Sequence, residues 1–308
     1  MYTVKCDGEY LYEYRRGYVL IDPVLTMADS AAGSFEFTIS PDHPMYDKIN
    51  QITSTVTVYR DDDEIWSGRP VEEATDFYKR KTIYCEGELA YLNDSIQPQA
   101  EFHAQSVRSW LTTILTNHNN QVSAGKRFQV GAVTVSENLY RYTNYENTLY
   151  CINDKLVSRL GGHLRIRKQN GTRYLDYLED YPKRSAQEIK FGRNLLDHST
   201  NYNMNDIATV IIPLGARLDE SPIEALEAYL DVKSVNNGSL YVRNEKAIQN
   251  FGWICKVVHW DDVTTASELL RKAKAYLSDF QYDEMTLQIR AVDFHLVDSG
   301  QPALDLLD

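Results

Sequence analysis

The side chains of this 308-residue chain that could do nucleophilic, acid–base or metal chemistry are four cysteines, seven histidines and a surplus of carboxylates. Their spacing limits what they can do. His43, His103, His118, His163, His198, His259 and His295 include no pair two or four residues apart and no His-Glu-x-x-His, so a helical zinc motif is missing. Cys6, Cys85, Cys151 and Cys255 are equally scattered, with no Cys-x-x-Cys and no histidine at ligand spacing, which speaks against zinc and against a dense disulfide framework. Serine nucleophile elbows, Walker loops and dinucleotide fingerprints are absent, and Gly161-Gly162 and Gly192 stand isolated. Cys85 or Cys151 with a distant histidine would make a papain-like dyad, since such partners need not be sequence neighbours. Cys151 lies beside a helical apolar stripe and Cys85 within a strand, so both are expected in the core.

Three charged stretches invite functional readings. Asp293-Phe294-His295 sends its two polar side chains to one face of a strand but offers no third metal ligand. No register of Asp61-Asp62-Asp63 supplies both the glycine at the sixth position and the glutamate at the twelfth that a calcium loop needs, so these acids are expected at a solvated hairpin tip. Lys79, Arg80 and Lys81 read as the solvated entry to a strand rather than a phosphate site. A glycosidase-type acid pair leaves no mark in sequence, and nothing singles one out. No catalytic, cofactor-binding or metal residue is assigned.

The elements that would position a site are clearest between Asn147 and Gly215. Leu149, Ile152, Leu156 and Leu160 share a helical face, with Asn147 or Thr148 as cap and Gly161-Gly162 as a left-handed stop. His163–Gln169 and Thr172–Leu178 then flank Asn170-Gly171, the pair suited to a type I′ turn. A two-residue turn sets Ile166 opposite Leu175, Leu164 opposite Tyr177, and Arg165 opposite Asp176 on a wet face. The β-branched run Ile207–Leu214 suits a strand covered on both sides and closed by Pro213 and Gly215, with the preceding helix expected to pack on it.

Elsewhere, Phe35, Phe37 and Ile39 alternate with polar residues in a half-buried strand, and further strands up to about Pro98 suggest a small barrel or sandwich. Gln97 to Ala104 reads as a linker. A helix carrying Val107, Trp110, Leu111, Ile114 and Leu115 follows, with Ser106 as cap, and Gln129–Ser136 is a strand. Ser221-Pro222-Ile223-Glu224 and Thr265-Ala266-Ser267-Glu268 have capping-box grammar, the second preceding a stripe of Leu269, Ala273, Tyr276 and Leu277. Met285, Leu287, Ile289 and Ala291 alternate, and the change of parity at Val292, Phe294 and Leu296 predicts a bulge near Ala291.

Composition bounds the function. Hydrophobic residues make up 43% and charged residues 25%, as in ordinary globular proteins of roughly two domains. Twenty-two tyrosines against nine phenylalanines favour half-wet strand faces and interfaces. A net charge of -12 argues against broad nucleic-acid binding, which needs cations to replace phosphate counterions. The first twenty residues hold too many charges for a signal peptide, so synthesis in a reducing cytoplasm is expected. The apolar stretch Ala303–Leu307 at the end is expected of a chain whose continuation carries a further module.

Several segments together resemble the N-terminal structural part of siphophage and prophage tail proteins of Gram-positive hosts, the tail-associated lysin or prophage tail endopeptidase family. They are Gly33-Ser34-Phe35-Glu36-Phe37-Thr38-Ile39-Ser40-Pro41 with His43-Pro44, Val56 to Gly68, the segment ending Gly161-Gly162-His163-Leu164, and Ile189 to Leu196. Asn205-Asp206-Ile207-Ala208-Thr209 and Gly252-Trp253-Ile254 to Trp260-Asp261-Asp262-Val263 complete the set. Their order and spacing carry the resemblance, least so over Ala216 to Leu230. It implies a strand-rich α+β fold like a phage baseplate hub, with two tail-tube-like β-barrel modules and inserted α+β modules. On this chain that means a barrel at 1–98, an α+β module at 99–188, and a second barrel at 189–308 with an insert at about 216–284.

The resemblance further implies a homotrimer at the virion tail tip, assembled in the host cytoplasm. Its partners would be the distal tail protein, the tail tube, the tape-measure protein and downstream lysin or receptor-binding parts, with DNA passing through unread. It implies no cofactor, no membrane anchor and no enzyme activity in this chain, because the family's lytic activity lies in a C-terminal domain. Two other classes stay open on the residues alone: a peptidoglycan hydrolase with an unrecognised site, and a cell-wall carbohydrate-binding module.

Overall fold

The computed structural model describes the whole chain except residues 182–184, 204–206, 219–227, 262, 280–283 and 305–308. The Ser221–Glu224 capping box, Asn205, Asp206 and Asp262 lie outside the described residues. Two compact units emerge, one of Met1–Glu188 with Asp293–Asp308, the other of Ile189–Val292, so the second is inserted in the first.

The first unit opens with seven strands: β1 (Tyr2–Cys6), β2 (Glu9–Tyr12), β3 (Ile21–Thr26), β4 (Ser34–Ile39), β5 (Val56–Arg60), β6 (Asp63–Thr75) and β7 (Lys81–Gly87). They pair in the order β2-β1-β5-β6-β7-β4-β3, every neighbour antiparallel. Alternation buries Phe35, Phe37 and Ile39 of β4 against Val4, Val58 and Ile83, and the sheet curls round this core as a half-barrel. It is not a closed barrel: β2 and β3 are its edges. Both edges are blunted, β2 by its four-residue length and β3 by Pro23 and an irregular register. Asp61 (φ 50°) and Asp62 (φ 74°) form the two-residue turn between β5 and β6, so the acidic run is a hairpin tip.

A 3₁₀ turn (Glu88–Asp94) leads into β8 (Ala100–Ser106), α1 (Val107–Gln121), β9 (Gln129–Val133) and β10 (Asn138–Thr143). The expected linker at Gln97 to Ala104 is therefore largely strand, because β8 pairs with β10 and Phe102 anchors it in the core. Ser106 caps α1 by accepting from the Ser109 amide, as its position suggests. The helix from Thr148 runs as α2 (Thr148–Ile152), a π turn (Asn153–Val157) and α3 (Ser158–Leu160), with Asn147 as cap. It stops at Gly161, whose φ of 73° with ψ of -154° is open to glycine alone and is not the expected left-handed helical conformation.

β11 (His163–Gln169) and β12 (Thr172–Leu178) then form the hairpin in the register read from sequence, Ile166 opposite Leu175 and Leu164 opposite Tyr177. One expectation fails here. Asp176 is buried, because β9 joins β12 in parallel and the Ala132 amide donates to Asp176 Oδ1 at 2.7 Å. Gly131 permits this approach, since a Cβ there would lie 1.7 Å from the carboxylate oxygen. The helix packs on this hairpin and on α1, with Trp110 at 0% exposure near the centre of the core. The Ile207–Leu214 run on which it was expected to pack belongs to the inserted unit, where Ile211 contributes to a separate core.

In that unit β13 (Leu195–Asn203) and β17 (Glu284–Ala291) form an antiparallel ribbon. A three-stranded sheet is ordered β15-β14-β16, from β14 (Val210–Leu214), β15 (Val242–Arg243) and β16 (Cys255–His259). Helices α4 (Glu245–Phe251) and α5 (Ala266–Asp279) accompany it, and Leu269, Ala273 and Leu277 of α5 bury against Ile211 and Val242. Pro213 lies inside β14 rather than closing it, because β15 pairs only with Val210 and Ile211 and leaves no ladder partner opposite the proline on that side. The bulge read near Ala291 lies on the other strand: Leu196 is the extra residue, between the pairs Leu195–Ala291 and Asp197–Arg290. β17 ends at Ala291, and Phe294–Leu296 form a 3₁₀ turn, which explains the change of parity. The described strands of this unit form a ribbon and a small sheet, not a closed barrel.

Candidate interaction surface

Cysteine chemistry needs a thiolate, and burial opposes one here. Cys6, Cys85 and Cys151 are buried, and burial followed by the Asp7 charge pushes the Cys6 thiol up to about 11. Burial raises Cys85, and burial with the Glu146 carboxylate raises Cys151. Cys255 is exposed. Among the described residues no three His, Cys, Asp or Glu side chains are grouped to hold a metal ion.

The structure does join one hydroxyl to one imidazole, a pairing that sequence reading missed. Ser95 Oγ lies 2.6 Å from His118 Nδ1. The hydrogen bonds have one consistent sense, in which Gln97 Nε2 donates to Thr148 Oγ1 (2.7 Å), Thr148 to Ser95 Oγ (2.7 Å), and Ser95 to His118 Nδ1. His118 Nε2 then donates to the Lys126 carbonyl (3.0 Å). All four side chains are buried, and burial lowers the His118 pKa, keeping it neutral. A reacting carbonyl has no way in, so this is a satisfied core network that ties α1, α2 and the segment between β7 and β8 together. Residues so far apart in sequence gave no spacing by which to find it.

A second network surrounds Tyr91. Arg69 on β6 donates from Nη2 to Asp94 Oδ1 (2.8 Å) and from Nε to Glu86 (2.7 Å), while Lys126 reaches Asp94 at 2.6 Å. Arg173 on β12 donates to Glu88 (2.6 Å). The Arg69, Lys126 and Arg173 cations all lie within 6 Å of the Tyr91 ring. Burial, then Glu88, pushes the tyrosine hydroxyl up to about 12, and burial works against the Asp94 charge while Arg69 and Lys126 hold its carboxyl below the usual range. These contacts fasten the half-barrel to the α+β part of the same unit.

Asp293 and His295 sit beside the chain's return into the first unit. Asp293 Oδ1 accepts from the His295 amide (3.0 Å) and from Gln187 Nε2 (3.0 Å), and Gln187 also donates to the Pro302 carbonyl (2.6 Å). His295 Nδ1 meets the Gln301 carbonyl at 2.7 Å, and its Nε2 contacts Asp61. The pair fastens a segment rather than gathering ligands. Lys79, Arg80 and Lys81 are likewise occupied or solvent-facing, with Arg80 paired to Asp76 and Lys81 near Glu73.

What remains is surface. The β6–β7 tip projects Phe77, 91% exposed, beside Tyr78. Tyr140 and Tyr142 of β10 face solvent on one side of their strand. The β13–β17 ribbon is open as well, with every side chain from Leu196 to Asn201 and from Thr286 to Arg290 exposed. One face carries His198, Thr200, Leu287 and Ile289, the other Asp197, Ser199, Gln288 and Arg290. No other described strand pairs with either edge. Such a surface suits association, not bond-making chemistry.

Residues 182–301, which bracket the inserted unit, match the family model described as Prophage endopeptidase tail. Among curated proteins there is no match. Three solved structures share the fold over nearly the whole chain. The tail protein from Neisseria meningitidis MC58 aligns with TM-score 0.60 and 15% identity, over 94% of this chain and 79% of its own. The prophage MuSo2 43 kDa tail protein from Shewanella oneidensis gives TM-score 0.56 and 12% identity, over 92% and 80%. Prophage tail protein gp18 from Listeria monocytogenes EGD-e gives 0.54 and 15%, over 94% and 80%.

Proposed function

We propose that this chain, which has the fold of prophage tail proteins, is a non-enzymatic structural protein of a phage or prophage tail, acting at the tail tip as a baseplate hub. The observation that supports this is the reach of the likeness: the same fold over 92–94% of the chain in three tail proteins, with a family match that frames the inserted unit. In this reading three copies surround the DNA exit channel beneath the tail tube. They join the distal tail protein and the tape-measure protein to downstream lysin or receptor-binding parts. Each copy contributes two tube-like modules, the first built on the half-barrel at 1–98 and the second on the inserted 189–292 rather than on the whole of 189–308, since Asp293–Asp308 returns to the first unit, with 99–188 as the α+β module.

The chemistry is that of interfaces. Exposed tyrosines such as Tyr140 and Tyr142 offer rings that a partner would dry while their hydroxyls stay wet, and a net charge of -12 lets a channel wall repel phosphates so that DNA passes without sticking. A channel lined by neutral or basic side chains in an assembled ring would overturn the second point.

The direct test is immunogold labelling, with antibody to this chain, of phage particles induced from the source strain. Gold at the end of the tail away from the capsid is expected. Particles that stay unlabelled, while the chain is found free in the lysate, overturn the reading. Release of soluble fragments from purified cell wall by the isolated chain would instead favour a hydrolase.

A further inference from the structure

A histidine whose two ring nitrogens both meet acceptors declares its protonation state by geometry alone. His295 is such a case. Its Nδ1 lies 2.7 Å from the Gln301 carbonyl, and its Nε2 contacts a carboxylate oxygen of Asp61. Neutral imidazole carries one N–H and one lone pair, so one of these contacts would set a lone pair against an oxygen. The imidazolium satisfies both. Asp61 does not supply the proton instead, because the Met1 ammonium on its other oxygen, followed by His295, holds its carboxyl below the usual range.

The two contacts fasten different things. Gln301 belongs to the same returning segment as His295 and closes it into a turn, whereas Asp61 stands on the tip between β5 and β6. Further bonds hold the segment: Gln187 donates to Asp293 and to the Pro302 carbonyl, and Arg60 donates to the Leu304 carbonyl at 3.1 Å. Their donors, an amide and a guanidinium, keep their protons at any pH near neutrality. Among these fastenings His295 supplies the one that a proton controls.

We propose that residues 293–304 form a proton-dependent latch, clasped to the β5–β6 tip while His295 is an imidazolium and unclasped when the ring loses one proton. A neutral ring that keeps its proton on Nδ1 holds the turn and gives up the tip; one that keeps it on Nε2 holds the tip and opens the turn. Gln187 accepts from the Phe294 amide and remains as the hinge. The inference rests on contacts within the first unit and does not depend on the hub reading.

The surrounding charges favour the closed state. Asp61 faces the ring from the tip, Asp293 lies within the segment, and Asp298 accepts from the Gln301 side chain. Beyond them stand the Met1 ammonium on Asp61 and Arg60, which is bonded to Tyr2. The Gln301 carbonyl, then Asp61, then the Asp293 charge raise the imidazole above 6.5. A group raised in this way contributes fully below about 6.5 and loses its contribution as pH climbs through the folded value, so the latch is shut in mild acid and opens toward alkaline pH.

NMR of the full chain with nitrogen-labelled histidine tests the latch, the His295 signals being identified by their loss in His295→Gln. The ring is expected to titrate with a midpoint above 6.5, from two protonated nitrogens to one. Across that midpoint the backbone order parameters of residues 296–302 are expected to fall from about 0.85 to below about 0.6. Asp61→Asn keeps a residue that tolerates the tip's φ of 50°, and its amide can donate to the Nε2 of a neutral ring. This variant is expected to lower the midpoint and to keep the segment ordered on both sides of it. A wild-type midpoint at or below 6.5, or order parameters that stay constant through the titration, overturns the latch. So does an Asp61→Asn chain whose titration and order match the wild type.

Discussion

β4 and β17 begin as the same proposition in sequence. Ser-Phe-Glu-Phe-Thr-Ile and Glu-Met-Thr-Leu-Gln-Ile-Arg-Ala both alternate, and both call for one dry face. β4 receives it: paired on both sides, it places Phe35, Phe37 and Ile39 in a core closed by the curl of seven strands. Among the described residues β17 has one pairing partner, and Leu287 and Ile289 stand exposed. Binary pattern states what a strand requires and leaves open which molecule supplies it. The first unit meets its strands' requirements internally; the ribbon of the second displays them.

The sharpest way to break this contrast is to unsettle the satisfied side. Arg69→Ala leaves Asp94 and Glu86 short of their partner in a largely buried network, and a loss of about 3–5 kcal/mol is expected in urea unfolding. Phe37→Ala, at 0% exposure, is expected to cost a similar amount, about 3–5 kcal/mol, through the cavity it opens. Ser95→Ala removes the donor to His118 Nδ1 and should cost about 1–3 kcal/mol. A catalytic role for Ser95 would show instead as lost cell-wall hydrolysis with stability kept.

Smaller effects sharpen the open side. Leu287→Ala in the monomer should change stability by no more than about 0.5 kcal/mol, as for a surface residue. A cost equal to that of Phe37→Ala would mean that the chain covers its own ribbon. The mildest effect concerns pH. The Gln301 carbonyl, then the Asp61 carboxylate, hold His295 above the ordinary imidazole value of 6.5. A folded pKa raised in this way gives a contribution that is complete below about 6.5 and is lost as pH rises through the folded value. Amide exchange in 293–304 should therefore quicken from neutral toward mildly alkaline pH, and in His295→Gln that dependence should vanish once the intrinsic pH effect on exchange is removed.

Much of the local structure was legible in the sequence because it is set by near neighbours. Asn170-Gly171 determined the hairpin and its register, Ser106 and Asn147 began their helices, and the stripe of α5 predicted its buried face. Where long-range pairing decides, reading failed. Polar composition disguised β8 as a linker, parallel addition of β9 buried Asp176, and the helix before Gly161 went to a different core from Ile211. The Ser95–His118 contact spans elements whose meeting no spacing announces. The ribbon was half legible, since alternation marked the strand and gave no sign that Leu287 and Ile289 would stand exposed among the described residues.

Gln187 touches both sides of the point where the inserted unit leaves and rejoins the first. Its amide group donates to Asp293 and to the Pro302 carbonyl and accepts from the Phe294 amide. Exit and re-entry are thus neighbours, held together by residues of the first unit whatever the length of what is spliced between them. Residues 189–292 are a unit that leaves and rejoins the first at one place, and the family match from 182 to 301 frames the same stretch.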